Sequence, residues 1–407
     1  MRKGRSIMNR TEKLAELYPE DILRYSDQLT DKEVDLLVEL RKVLEEKLEP
    51  VLEEHWKNET FPFAEFKSVI DLGLMDHPDL FIGREGEHKV SEYFNMYRLY
   101  ELARTDTSLA TFFAVHAGLG YTTLLLGGSE EQIAYYGPKL ASFEMQTCFA
   151  LTEPEHGSDI AGGITTTAVR EGDSWVINGE KRWIGGAGTA DVIPVFAKNP
   201  ETKEILCFMV PGDADGLSVE KIDGKIALRL VQNGHITLEN VTVSDETRLP
   251  NITSFKDVSK ILYTTRGDVT HIASGTHAGA LKSALEYADS REQFGRSITQ
   301  FQLIQEKLAR MEGNVVTALG LSYRLATLQA AGEFAEVPAS IAKMQTARLL
   351  RETAALAREI AGGNGITVEH KVAKFFGDAE AIYSYEGTHE INSLIIGRHL
   401  TGKGAFV

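Results

Sequence analysis

The pattern of apolar and polar positions first predicts a helical region at the start of the chain. From Thr30 onward apolar residues recur at helical spacing, and Thr30 with Glu33 forms a capping-box sequence that predicts a helix start. The segment 107–127, TSLATFFAVHAGLGYTTLLLG, is apolar on nearly all sides, which is typical of a buried helix. Residues 1–145 are therefore predicted to form an N-terminal helical domain.

Between residues 146 and 255 the pattern changes to that of short strands. The stretch SWVINGEKRWI contains two strand-like runs around Asn178-Gly179, a pair that favours a two-residue hairpin turn. The runs ILCFMV and HITLENVTV follow, with Gly and Asp residues between them. Residues 146–255 are therefore predicted to form a small antiparallel β barrel or sandwich.

From residue 256 the helical period returns and continues to residue 407. The stretch IAKMQTARLLRETAALAREIAGGNG predicts a long amphipathic helix that ends at Gly362 and Gly363. This last region is expected to be a helical bundle. The predicted fold class is therefore α+β, with a helical domain, a β domain and a bundle in chain order.

Composition limits the partners that this chain can have. The formal net charge is −16, which argues against nucleic acid or an anionic membrane surface as the main partner. The basic N-terminus has no apolar core region after it, and we expect no membrane span. The two cysteines, Cys148 and Cys207, cannot build a multi-disulfide framework, and the histidines lack metal-ligand spacing. We therefore expect a reduced, cytoplasmic location and no metal site.

The strongest single candidate for chemistry is Glu386 in the stretch YSYEGTHEIN. Gly387 and Thr388 follow it and interrupt a helical pattern, so the carboxylate is predicted to lie at a break between helices. If it is desolvated there, its pKa rises toward neutrality, which suits a general base. The alternative interpretation is an ordinary surface glutamate near a helix start.

Four other stretches are candidates for ligand binding, each with a purely structural alternative. FALTEPEHGSD (149–159) offers small hydrogen-bond donors that suit a polar or anionic ligand, or it is a turn that links two domains. KRWIGGAG (181–188) places Trp183 beside glycines, where it could line the site of a flat ring, or Trp183 is a core residue. Arg291 in SREQFG suits a pyrophosphate, or is solvated at a helix entry. AGGNG (361–365) resembles a phosphate-cradling loop, or is the C-cap of a helix; it follows a helix and not a strand, so it is no dinucleotide-fold fingerprint.

Taken in this order, these stretches resemble the acyl-CoA dehydrogenase family. The resemblance runs from about residue 60 to residue 407 and includes FALTEPEHGSD, KRWIG, REQFG, AGGNG and YEGTHEINSLIIGRHLTG. The glutaryl-CoA dehydrogenases and the plant short-chain acyl-CoA oxidases are the most similar branches. The resemblance implies a homotetramer of three-domain subunits with a four-helix bundle at the C-terminus. It also implies non-covalent FAD and oxidation of a short- to medium-chain fatty acyl-CoA to the trans-2-enoyl-CoA, with electrons passed to an electron-transfer flavoprotein.

The resemblance also assigns roles to residues. Glu386 would remove the α-proton, while its backbone N–H and a flavin ribityl hydroxyl polarise the thioester carbonyl. The residues implied to bind FAD within the subunit are Phe149, Leu151, Thr152, Gly157, Ser158, Trp183, Ile184, Gly185 and Thr388. Those implied to reach the FAD of a neighbouring subunit are Arg291, Gln302, Glu359, Gly362 and Gly363. The implied substrate contacts are Ser158, Arg266, Gly387 and Phe406.

Two departures from the family pattern affect the expected reaction. Ala110 stands where glutaryl-CoA dehydrogenases carry the arginine that pairs with the distal carboxylate, so we expect glutaryl-CoA to be a poor substrate. Gly185 stands where many dehydrogenases have a threonine next to the flavin, and the plant oxidases share this glycine. An oxidase that reduces oxygen to hydrogen peroxide is therefore an alternative. A catalytically silent acyl-CoA-binding protein is a third, against which the retained Glu386 argues.

Overall fold

The computed structural model describes residues 8–333 and 335–404. Its first region is helical, as predicted, and the Thr30–Glu33 capping box is formed: Glu33 N–H donates to Thr30 Oγ1, and Thr30 N–H donates to the Glu33 carboxylate. Phe406, an implied substrate contact, lies outside the described residues. The helices of this region, α1–α8, are Arg10–Leu17, Asp31–Val43, Glu49–Asn58, Phe63–Ile70, Glu92–Thr105, Thr107–Ala114, Tyr121–Gly127 and Glu130–Ala141.

The segment Thr107–Gly127 is a continuous helix in which the π-helical turn Val115–Gly120 joins α6 to α7. By length and composition alone it could cross a membrane, although we expected no membrane span from the sequence. Within the protein, however, 72% of its most apolar window is buried, as in the core helix predicted for this segment. Single-turn π-helical insertions are often found at functional sites.

The middle region is a six-stranded sheet, with the short helix α9 (Ile160–Gly163) before it. Its strands, β1–β6, are Thr167–Glu171, Ser174–Gly185, Val192–Lys198, Ile205–Pro211, Leu217–Lys221 and Asn233–Ser244. They lie in the order β4-β3-β1-β2-β6-β5, and every pair except β1–β3 is antiparallel. The turn Gly172–Asp173 joins β1 to β2, so the sheet is close to the antiparallel arrangement expected.

The hairpin predicted at Asn178-Gly179 is wrong. β2 runs straight through both residues and pairs with β6, with a shift of register between Ile177 and Gly179. A Cβ on Gly179, at φ 147°, would lie 2.5 Å from Thr166 Oγ1. Glycine is therefore needed here for a close approach of two chain segments in a β-bulge, and not for a turn.

The last region is a helical bundle, as expected. Its helices, α10–α14, are Phe255–Ser290, Gln302–Ala330, Glu336–Ala361, Lys371–Ser384 and His389–Thr401, with two-residue strands at Glu292–Gln293 (β7) and Arg296–Ser297 (β8). α10 packs on α11, α12 and α13, and α14 packs on α12. α12 ends where predicted, because Gly362 takes a positive φ of 60°. The domain boundaries near residues 145 and 255 stay a prediction.

Candidate active site

Glu386 lies at a break between two helices, as the sequence indicates. α13 ends at Ser384 and α14 begins at His389, where the Thr388 hydroxyl accepts a hydrogen bond from Ile391 N–H at 3.2 Å. Glu386 itself has φ 53°, in the left-handed region that a glutamate seldom adopts. Strain of this kind persists only where the surrounding structure holds it, and it is concentrated at functional sites.

The two carboxylate oxygens of Glu386 have different surroundings. Oε1 accepts a hydrogen bond from the Thr265 hydroxyl on α10 at 3.3 Å. Oε2 is buried and has no partner among the described residues. A carboxylate with one free, desolvated oxygen can accept a proton from a ligand placed beside it.

The electrostatic surroundings prepare Glu386 for that role. Burial raises the pKa of Glu386 to about 7, while the Arg266 guanidinium opposes this rise and the Asp268 carboxylate adds to it. A carboxylate with a pKa near neutrality is partly ionised at physiological pH, and its conjugate acid is weak enough for it to act as a useful base.

Lys343 on α12 holds the chain around the break. Its buried ammonium donates to the carbonyl oxygens of Tyr383 at 3.1 Å and of Gly387 at 2.7 Å. The Asn392 amide adds hydrogen bonds to Gly387 O at 2.8 Å and Thr388 O at 2.9 Å. Burial lowers the pKa of Lys343 to about 7. These hydrogen bonds fix the carbonyl groups that the interrupted helix leaves without partners.

Arg266 and Gly387, two implied substrate contacts, lie beside Glu386. The Arg266 Nη1 donates to Ser340 Oγ at 3.0 Å and its Nε to the Glu386 carbonyl at 3.4 Å. Gly387 has φ 88°, and a Cβ there would lie 3.7 Å from Arg266 Nη2. The structure therefore brings together Thr265, Arg266, Glu386, Gly387 and Thr388.

Residues of the two β-region motifs are tied to each other by a buried ion pair. The Lys181 ammonium lies 2.9 Å from the Glu153 carboxylate and also donates to Leu151 O at 3.0 Å. The Arg182 N–H donates to Thr152 O at 2.8 Å. This pairing fixes the FALTEP and KRWIGG stretches side by side, as a shared binding surface requires.

Trp183 is not a core residue, so the structural alternative for it is wrong. The residue is 53% exposed on a left-handed backbone with φ 67°, and the Arg182 guanidinium lies 5.1 Å from its ring centroid. Ile184 and Gly185 are buried behind it, and a Cβ on Gly185 would lie 3.4 Å from Val115 Cγ2. The structure thus presents a flat aromatic face in place of burying it.

The helix Thr107–Gly127 lies between the region around Trp183 and the region around Glu386. Val115, in its π-helical turn, contacts Gly185 at the end of β2. Gly118, in the same turn, lies against the Asp268 carboxylate on α10. The π-helical turn therefore separates the Trp183 region from the helix that supports Glu386.

The second set of implied FAD residues lies elsewhere. Arg291, Gln302, Glu359, Gly362 and Gly363 are all exposed, at the end of the bundle where α10 and α12 finish and α11 starts. Arg266 is a third of the way along α10 and Arg291 follows the last residue of this helix, so roughly 37 Å of helix separate them. One subunit does not bring this set to its own Glu386.

The residues of both sets fit FAD by their chemistry. Trp183 offers an exposed flat face for the isoalloxazine, and the exposed Gly157 and Ser158 leave room for a close backbone approach. At the bundle end, added Cβ atoms on Gly362 and Gly363 would meet nothing within 4 Å, and Arg291 suits a pyrophosphate. Phe149 and Leu151 supply apolar support, with the Phe149 ring 5.0 Å from that of Phe196.

Sequence reasoning missed several residues of the site. Thr265 could have been found because it precedes Arg266, and Lys343 because a lysine falls on the apolar face of the α12 pattern. Asn392 and Asp268 carried no local signal. Within residues 8–333 and 335–404, no group of three or more potential ligands could hold a metal ion.

Three family models match consecutive parts of the chain. They are described as acyl-CoA dehydrogenase N-terminal domain (residues 30–144), middle domain (148–241) and C-terminal domain (255–401). Their ranges follow the helical, sheet and helical regions described above.

Individual proteins give the same result. The chain is 33% identical to a 3-(aryl)acrylate reductase of Clostridium sporogenes, over 88% of this chain and 96% of that protein. It is 32% identical to the human mitochondrial short-chain specific acyl-CoA dehydrogenase, over 92% of this chain and 91% of that protein. A glutaryl-CoA dehydrogenase from Mycobacterium smegmatis, solved in complex with FADH2, superposes with a TM-score of 0.88 at 30% identity, covering 96% and 99% of the two chains. The chain belongs to the acyl-CoA dehydrogenase family and is an FAD-dependent oxidoreductase.

Proposed function

We propose that this protein oxidises a short- to medium-chain fatty acyl-CoA to the trans-2-enoyl-CoA and that Glu386 is the catalytic base. The observation that carries this proposal is the buried, unpartnered Oε2 of Glu386 at a strained helix break. An acyl chain lying beside that oxygen would present its α-hydrogen to the carboxylate oxygen that has no hydrogen-bond donor among residues 8–333 and 335–404. FAD supplies the acceptor for the β-hydrogen when it is bound.

The chain around Glu386 can also stabilise charge on the thioester oxygen. Among residues 8–333 and 335–404, none accepts a hydrogen bond from the Glu386 backbone N–H. This N–H is therefore available to a carbonyl that gains negative charge as the α-proton leaves. The buried Arg266 guanidinium, which donates to the Glu386 carbonyl at 3.4 Å, adds a positive charge nearby.

FAD binding is assigned to residues of two subunits in this proposal. Thr152, Trp183 and Thr388 belong to the set that would bind the cofactor within one subunit, together with Phe149, Leu151, Gly157, Ser158, Ile184 and Gly185. Because the set around Arg291 lies roughly 37 Å along α10 from Arg266, it would serve the FAD of a neighbouring subunit. A homotetramer and an electron-transfer flavoprotein as electron acceptor follow from the family resemblance. A cytoplasmic location is proposed from the low cysteine content.

The oxidase reaction is retained as a second candidate because of Gly185. The structure gives this glycine a role in packing, since an added Cβ would lie 3.3 Å from Val231 Cγ1. A threonine at this position would have to displace Val231. With glycine here, the chain lacks the hydroxyl group that a threonine would offer to the flavin.

A visible spectrum recorded during anaerobic titration with butyryl-CoA tests the proposal, with air admitted at the end. Bleaching of the flavin band that recovers only slowly in air is the expected result. Prompt recovery with hydrogen peroxide would identify an oxidase. Absence of bleaching with straight-chain acyl-CoAs of four to twelve carbons would overturn the proposal. Glutaryl-CoA is the comparison substrate, and a clear preference for it would contradict the interpretation of Ala110.

A further inference from the structure

Asp268 is a carboxylate that the proposed proton transfer does not use, yet it lies close to Glu386. It is on α10, three residues after Thr265, whose hydroxyl donates to Glu386. Side chains three residues apart share one helix face, at about 5–6 Å between Cβ atoms. Asp268 would therefore lie beside an acyl chain a few carbon atoms beyond the α-carbon that faces Glu386. It is on the side of the site that the helix Thr107–Gly127 covers.

One oxygen of Asp268 is satisfied and the other is directed at the π-helical turn. Oδ1 accepts a hydrogen bond from the Asn95 amide at 2.8 Å. Oδ2 accepts no hydrogen bond from the described residues, and it would lie 2.6 Å from a Cβ placed on Gly118. The glycine therefore leaves the room that Oδ2 occupies.

Asp268 lines a cavity of about 20 Å³, the room of about one water molecule. Its polar lining consists of His88, Lys89, Glu92, Asn95, Arg98, Tyr121 and Asp268. The Lys89 and Arg98 cations of this lining act on Asp268 only through their charge, because their hydrogen bonds go to other groups. The Arg98 guanidinium donates to Asn95 Oδ1 at 2.7 Å, and the Lys89 ammonium donates to Thr122 Oγ1 at 2.7 Å. Asp268 Oδ2 is left as a hydrogen-bond acceptor at the cavity.

We propose that Asp268 is a specificity-determining residue that accepts a hydrogen bond from a small donor, a hydroxyl or an amine, near the distal end of the acyl chain. A plain alkyl terminus would desolvate this carboxylate without replacing the hydrogen bond that water supplies, which is costly. A hydroxyl or amine of the right reach would take the place of that water. This inference rests on the proposed acyl-CoA oxidation and names the substrate class for it.

Binding to the FAD-loaded Glu386→Gln protein tests this inference without turnover. Calorimetry would compare hexanoyl-CoA with 6-hydroxyhexanoyl-CoA and 6-aminohexanoyl-CoA, and the same three end groups on four- and five-carbon chains. At the chain length that reaches Asp268, the hydroxyl or amino ligand is expected to bind about tenfold to a hundredfold more tightly than its alkyl partner. The two donor series show which of the two end groups the site accepts.

Two further substitutions in the same background assign the preference to Asp268. Asp268→Leu is expected to abolish or reverse it, and Gly118→Ala to weaken it by displacing Oδ2. Glu286→Gln, an exposed carboxylate on the same helix, is the charge-matched control and should leave it unchanged.

Alkyl ligands that bind as tightly as the donor ligands at every length would overturn the inference, as would a preference that survives Asp268→Leu. In either case, bleaching of the wild-type flavin by butyryl-CoA would leave the proposed oxidation standing. If no acyl-CoA of any kind binds or bleaches the flavin, the proposed function and this inference both fail.

Discussion

Two glutamates of this protein, each with a buried lysine nearby, show how the same residue types serve opposite purposes. In the sheet region, the Glu153 carboxylate accepts hydrogen bonds from Lys181 at 2.9 Å, from Thr165 N–H at 2.7 Å and from Thr166 N–H at 3.0 Å. At the helix break, Glu386 accepts one hydrogen bond from Thr265, and Lys343 donates to backbone carbonyls instead of to the carboxylate.

The pKa values follow from this difference in hydrogen bonding. Burial acts to raise the pKa of both carboxyl groups, but Lys181 and the two threonines hold that of Glu153 at about 2, whereas that of Glu386 rises to about 7. A carboxylate that accepts several donors is fixed as an anion and holds the structure together. A carboxylate with a free oxygen keeps its capacity to take up a proton.

The largest expected effect is on the rate of flavin reduction and belongs to Glu386. Glu386→Gln should lower the rate of flavin reduction by butyryl-CoA by about 10²- to 10⁴-fold, because the amide cannot remove the α-proton. Anaerobic stopped-flow absorbance at the flavin band measures this rate. Glu390→Gln, an exposed glutamate in the first turn of α14, is the control. A Glu386→Gln rate within tenfold of wild type would place the base elsewhere.

The second effect is on stability and belongs to the sheet. Lys181→Met leaves the Glu153 carboxylate buried without its cation, which should cost about 3–5 kcal/mol of unfolding free energy. Denaturant unfolding of the FAD-saturated protein, followed by tryptophan fluorescence, measures the change. Lys67→Met, which removes an exposed pair with Asp71 at 2.7 Å, should cost less than about 1 kcal/mol. Equal losses from the two variants would contradict the structural role of Lys181.

The third expected effect is on stability as a function of pH, where the contributions of Glu386 and Glu153 change in opposite directions. The pKa of Glu386 is raised on folding, so its contribution to stability is full below the unfolded pKa, near 4.3, and is lost as pH rises through about 7. Glu386→Gln removes this loss and should stabilise the protein at pH 8 by about 1–3 kcal/mol.

Glu153 provides the matched comparison for that measurement. Its folded pKa is lowered, so its contribution is full above the unfolded value and is lost as pH falls toward about 2. Glu153→Gln should therefore destabilise the protein at pH 8. Melting temperatures of the two variants at pH 5 and pH 8 give the signs, and a shift in the same direction at pH 8 would refute the distinction.

The smallest expected effect concerns the hydrogen bond that Thr265 donates to the Glu386 carboxylate. The rate of flavin reduction should rise with pH through about 7, as Glu386 ionises. Thr265→Val removes a donor that favours the ionised form, so this midpoint should move about 0.5–1 unit higher. Thr264→Val, whose hydroxyl donates to Lys260 O, is the adjacent control. A midpoint that moves lower in Thr265→Val, or a flat profile from pH 6 to 8.5, would contradict the assignment.

Features that depend on neighbouring residues were accessible from the sequence. The order of helical, strand and helical regions was predicted, as were the Thr30 capping box, the end of α12 at Gly362 and the break at Glu386. Each of these depends on residues within one or two turns of each other. The resemblance to the acyl-CoA dehydrogenase family, and with it FAD, came from several such stretches in order and is confirmed by the family models.

The tertiary structure decided what those stretches meet. The Asn178-Gly179 pair had the sequence of a turn, but pairing with β6 and the close approach of Thr166 made it a bulge within a strand. Thr265 reaches Glu386 across more than a hundred positions, and one carboxylate oxygen of each of Glu386 and Asp268 has no donor among the residues that the structure describes. Local sequence sets the backbone pattern because its interactions are short-range. The pKa of a carboxyl group depends instead on which donors packing brings within about 3 Å, and only the folded chain determines that.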